Sequence, residues 1–399
     1  MSYTRWHNKT SSSTLRRAKM RDLGTRDIVV VGGGLIGTAV GLGLATLGAD
    51  VALLEGEDTN FHAARGNFGL VWSQSKGARG RDYASWTWSA VKAWPEFEAD
   101  IRRLSGIDTH YRSGLGLSLC LSEQEFEKRA KLINRVASYG LPGSDGRMIG
   151  RNEVLEILPG IGPDVVGGSL STLDGDCHSL ALYRGLYGSF IAAGGKLRSG
   201  RAVDKIVSRG SHYEVFAGDV VVRGRKVVIA AGLGTNALAV PLGFRSFVRP
   251  EKGEILVTER IKPFLPIVLA SLRQTPEGTV LMGDTKEDAG LDDRSTQRGM
   301  SHLASRAVRM FPLIGQSRVM RSWAALRVMT SDGDPVYDES PTHPGVFVAS
   351  THSGVTLAPM HCGSLARWIA GDQKPPEFQS FKASRFLGAE VAEAAHADH

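Results

Sequence analysis

Cysteine is scarce in this chain of 399 residues: Cys120, Cys177 and Cys362 stand alone. Without a CxxC pair, a zinc site is disfavoured, and a four-cysteine iron–sulfur cluster cannot be assembled from this chain by itself. The odd count and wide spacing argue against structural disulfides and for a reducing, cytoplasmic compartment. No metal-ligand set emerges, and no internal repeat or low-complexity linker interrupts the chain. No apolar segment precedes a cleavage site near the N-terminus, so no secretory signal is expected. Acidic residues are almost missing from residues 1–26, where seven Lys/Arg face Asp22 alone, giving this leader +6 of the formal net charge of +7. The remaining body is nearly neutral, which argues against a nucleic-acid-binding surface on it. The leader contains SSST and few apolar side chains. It is expected to be a flexible basic tail through residue 26, with docking onto a partner subunit as the alternative.

Charge is absent altogether from Ile28 to Ala49. About 20 apolar residues can span a bilayer, and Gly37 and Gly41 match the GxxxG packing motif of membrane helices. Yet seven glycines fall in the run, and several cluster directly after the β-branched stretch IVVV. A spanning helix has no use for that cluster, whereas a buried strand, a tight turn and a buried helix need it. The segment therefore reads as a βαβ unit: strand Asp27–Val31, helix Leu35–Leu47, strand Val51–Leu54. In GGGLIG, Gly32 makes the sharp turn, Gly34 admits a pyrophosphate, and Gly37 lets helix and strand pack closely. The helix N-terminus, with Leu35 and Ile36 in its first turn, offers N–H groups and a positive dipole end. Glu55, followed by Gly56, ends the second strand, where a carboxylate can accept both ribose hydroxyls. This motif predicts a dinucleotide without separating NAD from FAD.

Downstream, a helix over Tyr83–Trp94 carries Trp86, Trp88 and Trp94 as packing residues, and Pro95 is expected to end it. Gly114–Leu121 reads as a strand, Glu123–Ser138 as a charged helix, and Leu180–Ala193 as another helix. Lys226–Ala231 (KVVIAA) is a buried strand ending at Gly232, and Glu254–Thr258, Thr279–Gly283 and Val346–Ser350 are further strands. A second GxGxxG is missing, since AAGLGTN lacks the third glycine. A reductase with separate FAD and NAD sites is thereby disfavoured. The C-terminal stretch PGVFVASTHSGVTLAPMHCG predicts a strand, a short turn and a helix beginning near Gly354, with Pro359 in its early turns. A second helix N-terminus suits a flavin, because its dipole and N–H groups can face the pyrimidine end of the ring. An NAD enzyme has no need of it.

At these residues the chain resembles the D-amino-acid oxidase-like superfamily of FAD-dependent oxidoreductases, which includes glycine and sarcosine oxidases. The resemblance rests on VVGGGLIG with Glu55, ARGNFGLVW (Ala64–Trp72), KVVIAAG, RPEKGEILV (Arg249–Val257), WAALRVMTSDGDPVY (Trp323–Tyr337) and THSGVTLAP. RQTPEGTVLMGDTKEDAG (Arg273–Gly290) is most similar to the β subunits of bacterial opine (octopine/nopaline) oxidases. Those are relatives of the FAD subunits of hydrogen cyanide synthase and D-hydroxyproline dehydrogenase. The resemblance implies an α/β fold: a Rossmann-like FAD-binding domain (27–80, 150–240 and 322–390) with a discontinuous mixed-sheet α+β substrate domain (81–149 and 241–321). It implies non-covalent FAD held by Gly32, Gly34, Gly37 and Glu55. The loop under the cofactor carries Ala64, Arg65, Asn67, Gly69 and Leu70. Val203 is implied on the adenine side, and Ala231 and Gly232 at the third strand. Gly354, Val355, Thr356 and Leu357 are implied at the flavin ring.

For the substrate, the resemblance assigns Arg327 to a carboxylate, as in glycine oxidases. Arg273 is expected as a second carboxylate contact, and His352 as a substrate contact or tuner of the amine's protonation. A bidentate arginine is the natural carboxylate clamp, and a structural ion pair is the competing role for either. Lys252 is a further candidate near the flavin's reactive edge. Asp332 and Asp338 read as turn residues, and Cys177 and Cys362 as packing. Near His352, a second arginine of the glycine oxidases has no counterpart here, and Val328 replaces a common proline, so small amino acids are disfavoured as substrates. The expected activity is hydride transfer from an opine-like N-(carboxyalkyl) amino acid to flavin, yielding an amino acid and a 2-oxo acid. The chain would be the substrate-oxidising subunit of a heteromeric dehydrogenase, its electrons leaving through partner subunits that carry an iron–sulfur cluster. The alternatives are a stand-alone oxidase of D-amino acids, glycine or sarcosine that uses oxygen, a D-hydroxyproline dehydrogenase, a non-catalytic flavoprotein subunit, and an NAD(P) dehydrogenase.

Overall fold

The charge-free run folds as strand, turn and helix. The structure, a computed structural model, describes residues 20–56 and 62–386. Strand Arg21–Val31 pairs in parallel with Val220–Ile229 on one side and Val51–Leu54 on the other. It begins six residues earlier than its apolar stretch suggests, so residues 21–26 belong to the sheet and not to a flexible leader. Their polar side chains find partners there: Asp22 meets Arg223 at 2.8 Å and Arg26 meets Asp50 at 3.3 Å. Gly24, at φ 82°, falls in the register shift that separates Asp22 from Thr25. The tail expected over residues 1–19 lies outside the described residues.

The central sheet has eight strands. Val220–Ile229 is its pivot, since one edge carries Arg21–Val31 while the other takes Tyr213–Ala217 and then Val346–Ser350. Helix Leu35–Thr46 is buried on nearly all sides. A Cβ on Gly43 would collide with the Cys362 carbonyl, so this glycine lets the late helical segment 358–370 lie directly on the first helix. Lys226 ties down the far end of that segment by donating to the Ile369 and Ala370 carbonyls at 2.6 and 3.1 Å. No helix among the described residues is long and apolar enough to cross a membrane.

Pro95 does not end its helix, which runs Arg81–Ser105 and stops at Gly106 in the left-handed region (φ 70°). An interior proline costs about 3 kcal/mol. Burial of Trp86 and Trp94 before it and of Phe97 and Ile101 after it offsets this. Trp94 also donates to the Thr356 carbonyl at 2.9 Å, which fixes the helix to the late turn.

Three further sheets build the rest. Val248–Arg260 and Val319–Thr330 form a long antiparallel pair, extended by Thr279–Met282 and Leu272–Gln274. Gly116–Cys120 pairs with Gly167–Ser171, which pairs with Arg147–Gly150. These two sheets share a core that includes Leu117, Ile149, Leu256, Met282 and Phe311. Packing crosses the expected domain limits in both directions. Val154, Leu158, Ile161, Val165 and Leu170, expected with the FAD-binding domain, lie in this second core. Helix Arg81–Ser105 instead joins the first core.

Replacing Gly43 by alanine is expected to destabilise the chain by about 1–3 kcal/mol through overpacking against the Cys362 backbone. A shift in the urea midpoint at unchanged slope checks this.

Candidate functional site

A single cavity of about 1480 Å³ runs from the start of the first helix to the long antiparallel strand pair. Small-ligand pockets span roughly 300–1,000 Å³, so a dinucleotide and a substrate can share this one. At its dinucleotide end the glycines divide their work. Gly32 takes φ 101°, and its missing Cβ leaves space for the Ala230 carbonyl. Gly34 opens onto the cavity with nothing within 4 Å of its missing Cβ. The helix that follows has no side-chain cap, and its first residues, Leu35 and Ile36, line the cavity. Gly37 is turned away; a Cβ there would strike the Gly32 carbonyl, so its part is packing. Glu55 and Gly56 line the same end, and Glu55 Oε2 accepts from the Gly33 N–H at 2.5 Å. Val203, Ala231 and Gly232 complete the wall.

Across the cavity, Ala64, Arg65, Asn67 and Leu70 line the loop that enters the short strand Leu70–Val71. Gly69 lies beneath it, held at φ 92° against the Cys177 carbonyl. Gly354, Val355 and Thr356 face the cavity from the late turn. Thr356 Oγ1 accepts from the Trp72 N–H and donates to the Leu70 carbonyl, both at 3.2 Å, so the loop and the turn form one wall. Leu357 does not reach the cavity. The helix starts at Ala358, not at Gly354, and residue 357 is wound into the core with its N–H bonded to the Ser353 carbonyl at 3.0 Å. An uncapped helix end, an open glycine and a ribose-side carboxylate in one cavity fit FAD.

The substrate end separates the expected residues. Arg327 lines the cavity, 30% exposed and held loosely by Glu251 at 3.4 Å. A Cβ on Gly253 would press on this guanidinium, so the glycine keeps its slot open. Arg273 does not line the cavity. It is 5% exposed, donates to Asp176 at 2.7 Å and to the Phe68 carbonyl at 3.1 Å, and thus props the cofactor loop from below. Arg112 grips the same carboxylate with two bonds of 2.9 and 2.8 Å. Lys252 is likewise elsewhere, 1% exposed and paired with Glu287 at 2.9 Å. Asp332 is a turn residue, accepting from the Asp334 N–H at 3.0 Å, whereas Asp338 sits in strand Val336–Glu339. Burial pushes the Cys177 and Cys362 thiols up to about 12, consistent with packing roles.

His352 lines the cavity beside a residue that the sequence did not single out. Lys76 Nζ lies 2.7 Å from His352 Nε2. Desolvation, then the nearby Lys286 and Arg327 charges, lower the Lys76 ammonium from 10.5 to about 7. Lys286 is lowered too, mainly by desolvation. Arg129 also lines the cavity, donating to Ser169 at 2.6 Å and Gln74 at 3.0 Å. Gln74 in turn donates to the buried Asp174 at 2.8 Å. Lys76 and Lys286 sit in ordinary-looking polar stretches, SQSKG and GDTKEDAG, and only the meeting of distant loops reveals them.

Replacing Arg273 by methionine is expected to cost about 3–5 kcal/mol by leaving part of a buried ion network uncompensated. It should leave ligand affinity largely unchanged in the remaining folded protein, as titration and urea melts would show. Folding displaces the Lys76 proton between about pH 7 and pH 10.5, so stability from this group falls as pH drops through that window and is flat below it. Lys76→Met should therefore raise Tm more at pH 7 than at pH 10.

Comparison with known proteins identifies the family. The family model DAO, FAD dependent oxidoreductase, matches residues 27–368. The opine oxidase B subunit of Rhizobium meliloti is 36% identical over 365 residues, covering 90% of this chain and 97% of its own length. Its namesake from Agrobacterium tumefaciens (strain Ach5) is 34% identical with the same coverage. Glycine oxidase from Geobacillus kaustophilus shares the fold, with TM-score 0.85 and 24% identity over 91% of this chain and all of that one. The chain belongs to the DAO family of FAD-dependent oxidoreductases.

Proposed function

We propose that this chain oxidises the C–N bond of an amino-acid-derived secondary amine of the opine type, releasing an amino acid and a 2-oxo acid. The observation that carries the reading is Arg327, a partly exposed guanidinium lining the same cavity as the cofactor cradle. Bound FAD supplies the two-electron acceptor. The protein's task is to orient the substrate: Arg327 takes a carboxylate in two parallel bonds, and the wall formed by Thr356 with Leu70 and Trp72 fixes the position of the late turn. His352 and Lys76, in hydrogen-bond contact, lie in the cavity where the amine's proton must be managed. The similarity to two opine oxidase B subunits over nearly their full length supports the opine class. It also supports a role as the substrate-oxidising member of a heteromeric enzyme, with electrons passed to partner subunits.

Anaerobic bleaching of the visible flavin band tests this, with octopine, nopaline, D-hydroxyproline, sarcosine and several D-amino acids as the panel. Bleaching by an opine with slow recovery in air is expected. Bleaching by a small amino acid, with fast recovery and peroxide, would replace the reading with a stand-alone oxidase. Arg327→Ala should raise KM by roughly 10–100-fold, the loss of about 1.5–3 kcal/mol of charge-assisted bonding. Flavin content should be unchanged, and its loss would mean that Arg327 serves the cofactor.

A further inference from the structure

The substrate end of the cavity collects cations from distant parts of the chain. Lys76 follows the cofactor loop, Lys286 follows strand Thr279–Met282, Arg129 lies on helix Glu123–Ala137, and Arg327 is on strand Val319–Thr330. The acids nearby do not balance them. Glu251 is engaged by Arg327 at 3.4 Å. Asp174 is enclosed, accepting from the Ser73 N–H and Oγ at 2.6 Å each and from Gln74 at 2.8 Å. Asp284 attracts both lysines but pairs with neither within 4.0 Å. It is also one of two non-glycine residues with positive φ among those described, at 91°, a costly conformation that tends to mark functional sites. Like charges are thus held against one another inside a cavity wall. The uncapped helix end beside Gly34, at the dinucleotide end of the cavity, is where the cofactor's phosphates would be held.

We propose that Lys76 and Lys286 form a second carboxylate subsite, so that the cavity takes an amine flanked by two carboxylates, one on Arg327 and the other on the lysine pair. This rests on the amine-oxidation reading and adds which side chains select a dicarboxylate. The groups facing Lys76 are His352 from the late turn, Lys286 and Asp284 from their loop, Arg327 from its strand and Asp174. Glu251 and Lys128 face Lys286 in addition. A carboxylate placed among them favours the charged lysine. Because Lys76 is lowered to about 7 without ligand, binding above that pH should draw a proton from solvent onto its Nζ, with no bond to carbon made or broken.

Glutarate is the probe: it has the O₂C–C–X–C–CO₂ frame of such an amine with CH₂ at X, and it lacks the oxidisable nitrogen. Butyrate is the same frame without one carboxylate. Calorimetric binding to the flavin-loaded protein at pH 8, in two buffers of different ionisation heat, reads affinity and proton uptake together. The expected result is glutarate binding at least roughly tenfold tighter than butyrate, with uptake approaching one proton. Lys76→Met and Lys286→Met should each erase most of that preference at unchanged flavin content. Lys76→Arg should keep the preference and lose the proton uptake. Equal binding of glutarate and butyrate, or a preference that survives both methionine variants, would refute the subsite. Such a result would leave the amine-oxidation reading intact, since flavin bleaching measures that separately.

Discussion

Close approach of backbone to backbone around one buried helix is the constraint on which the structure depends. Gly32 admits the Ala230 carbonyl, Gly37 admits the Gly32 carbonyl, and Gly43 admits that of Cys362. The first two set the turn that aims an uncapped helix end into the cavity. The third seats the segment 358–370, and with it the turn Gly354–Thr356 that faces the same cavity. Both ends of a long cofactor are thereby positioned by side chains that are missing. The near-complete burial of this helix also explains why its stretch is free of charge, since an unpaired charge there would face a prohibitive desolvation cost.

The polar layer under the cavity serves the opposite purpose. Asp176 with Arg273 and Arg112, and Asp174 with Ser73 and Gln74, are satisfied networks that hold the cofactor loop and the strands behind it. Above them, desolvation and then the neighbouring Lys286 and Arg327 charges disfavour the charged form of Lys76, and desolvation disfavours that of Lys286. In the proposed subsite, a carboxylate would relieve electrostatic strain that the unliganded chain bears at some expense of stability. Arg273 and Arg327 show how little residue type says about which layer a side chain joins. Both are arginines on strands of one sheet, yet one is locked in an ion pair and the other opens to the cavity.

Local signals made much of the fold legible. The spacing of Gly32, Gly34 and Gly37, the apolar strands at Val51–Leu54 and Val346–Ser350, and the position of Glu55 all depend on neighbours in the chain, and the structure keeps each of them. Pro95 misled because its cost is local, while the aromatic packing that offsets it comes from residues far away in sequence. The leader's last residues misled for a similar reason, since Arg223 and Asp50, the partners of Asp22 and Arg26, are remote.

The sequence by itself therefore determined the dinucleotide-binding unit, the strands that support it and the family to which the chain belongs, because backbone geometry and burial leave periodic, short-range traces. Tertiary structure alone decided which cations meet in the cavity. Lys76 and His352 are 276 positions apart, and Arg273 and Asp176 are 97 apart. Electrostatic partnership depends on distance in space and on exclusion of water, and neither leaves a pattern along the chain.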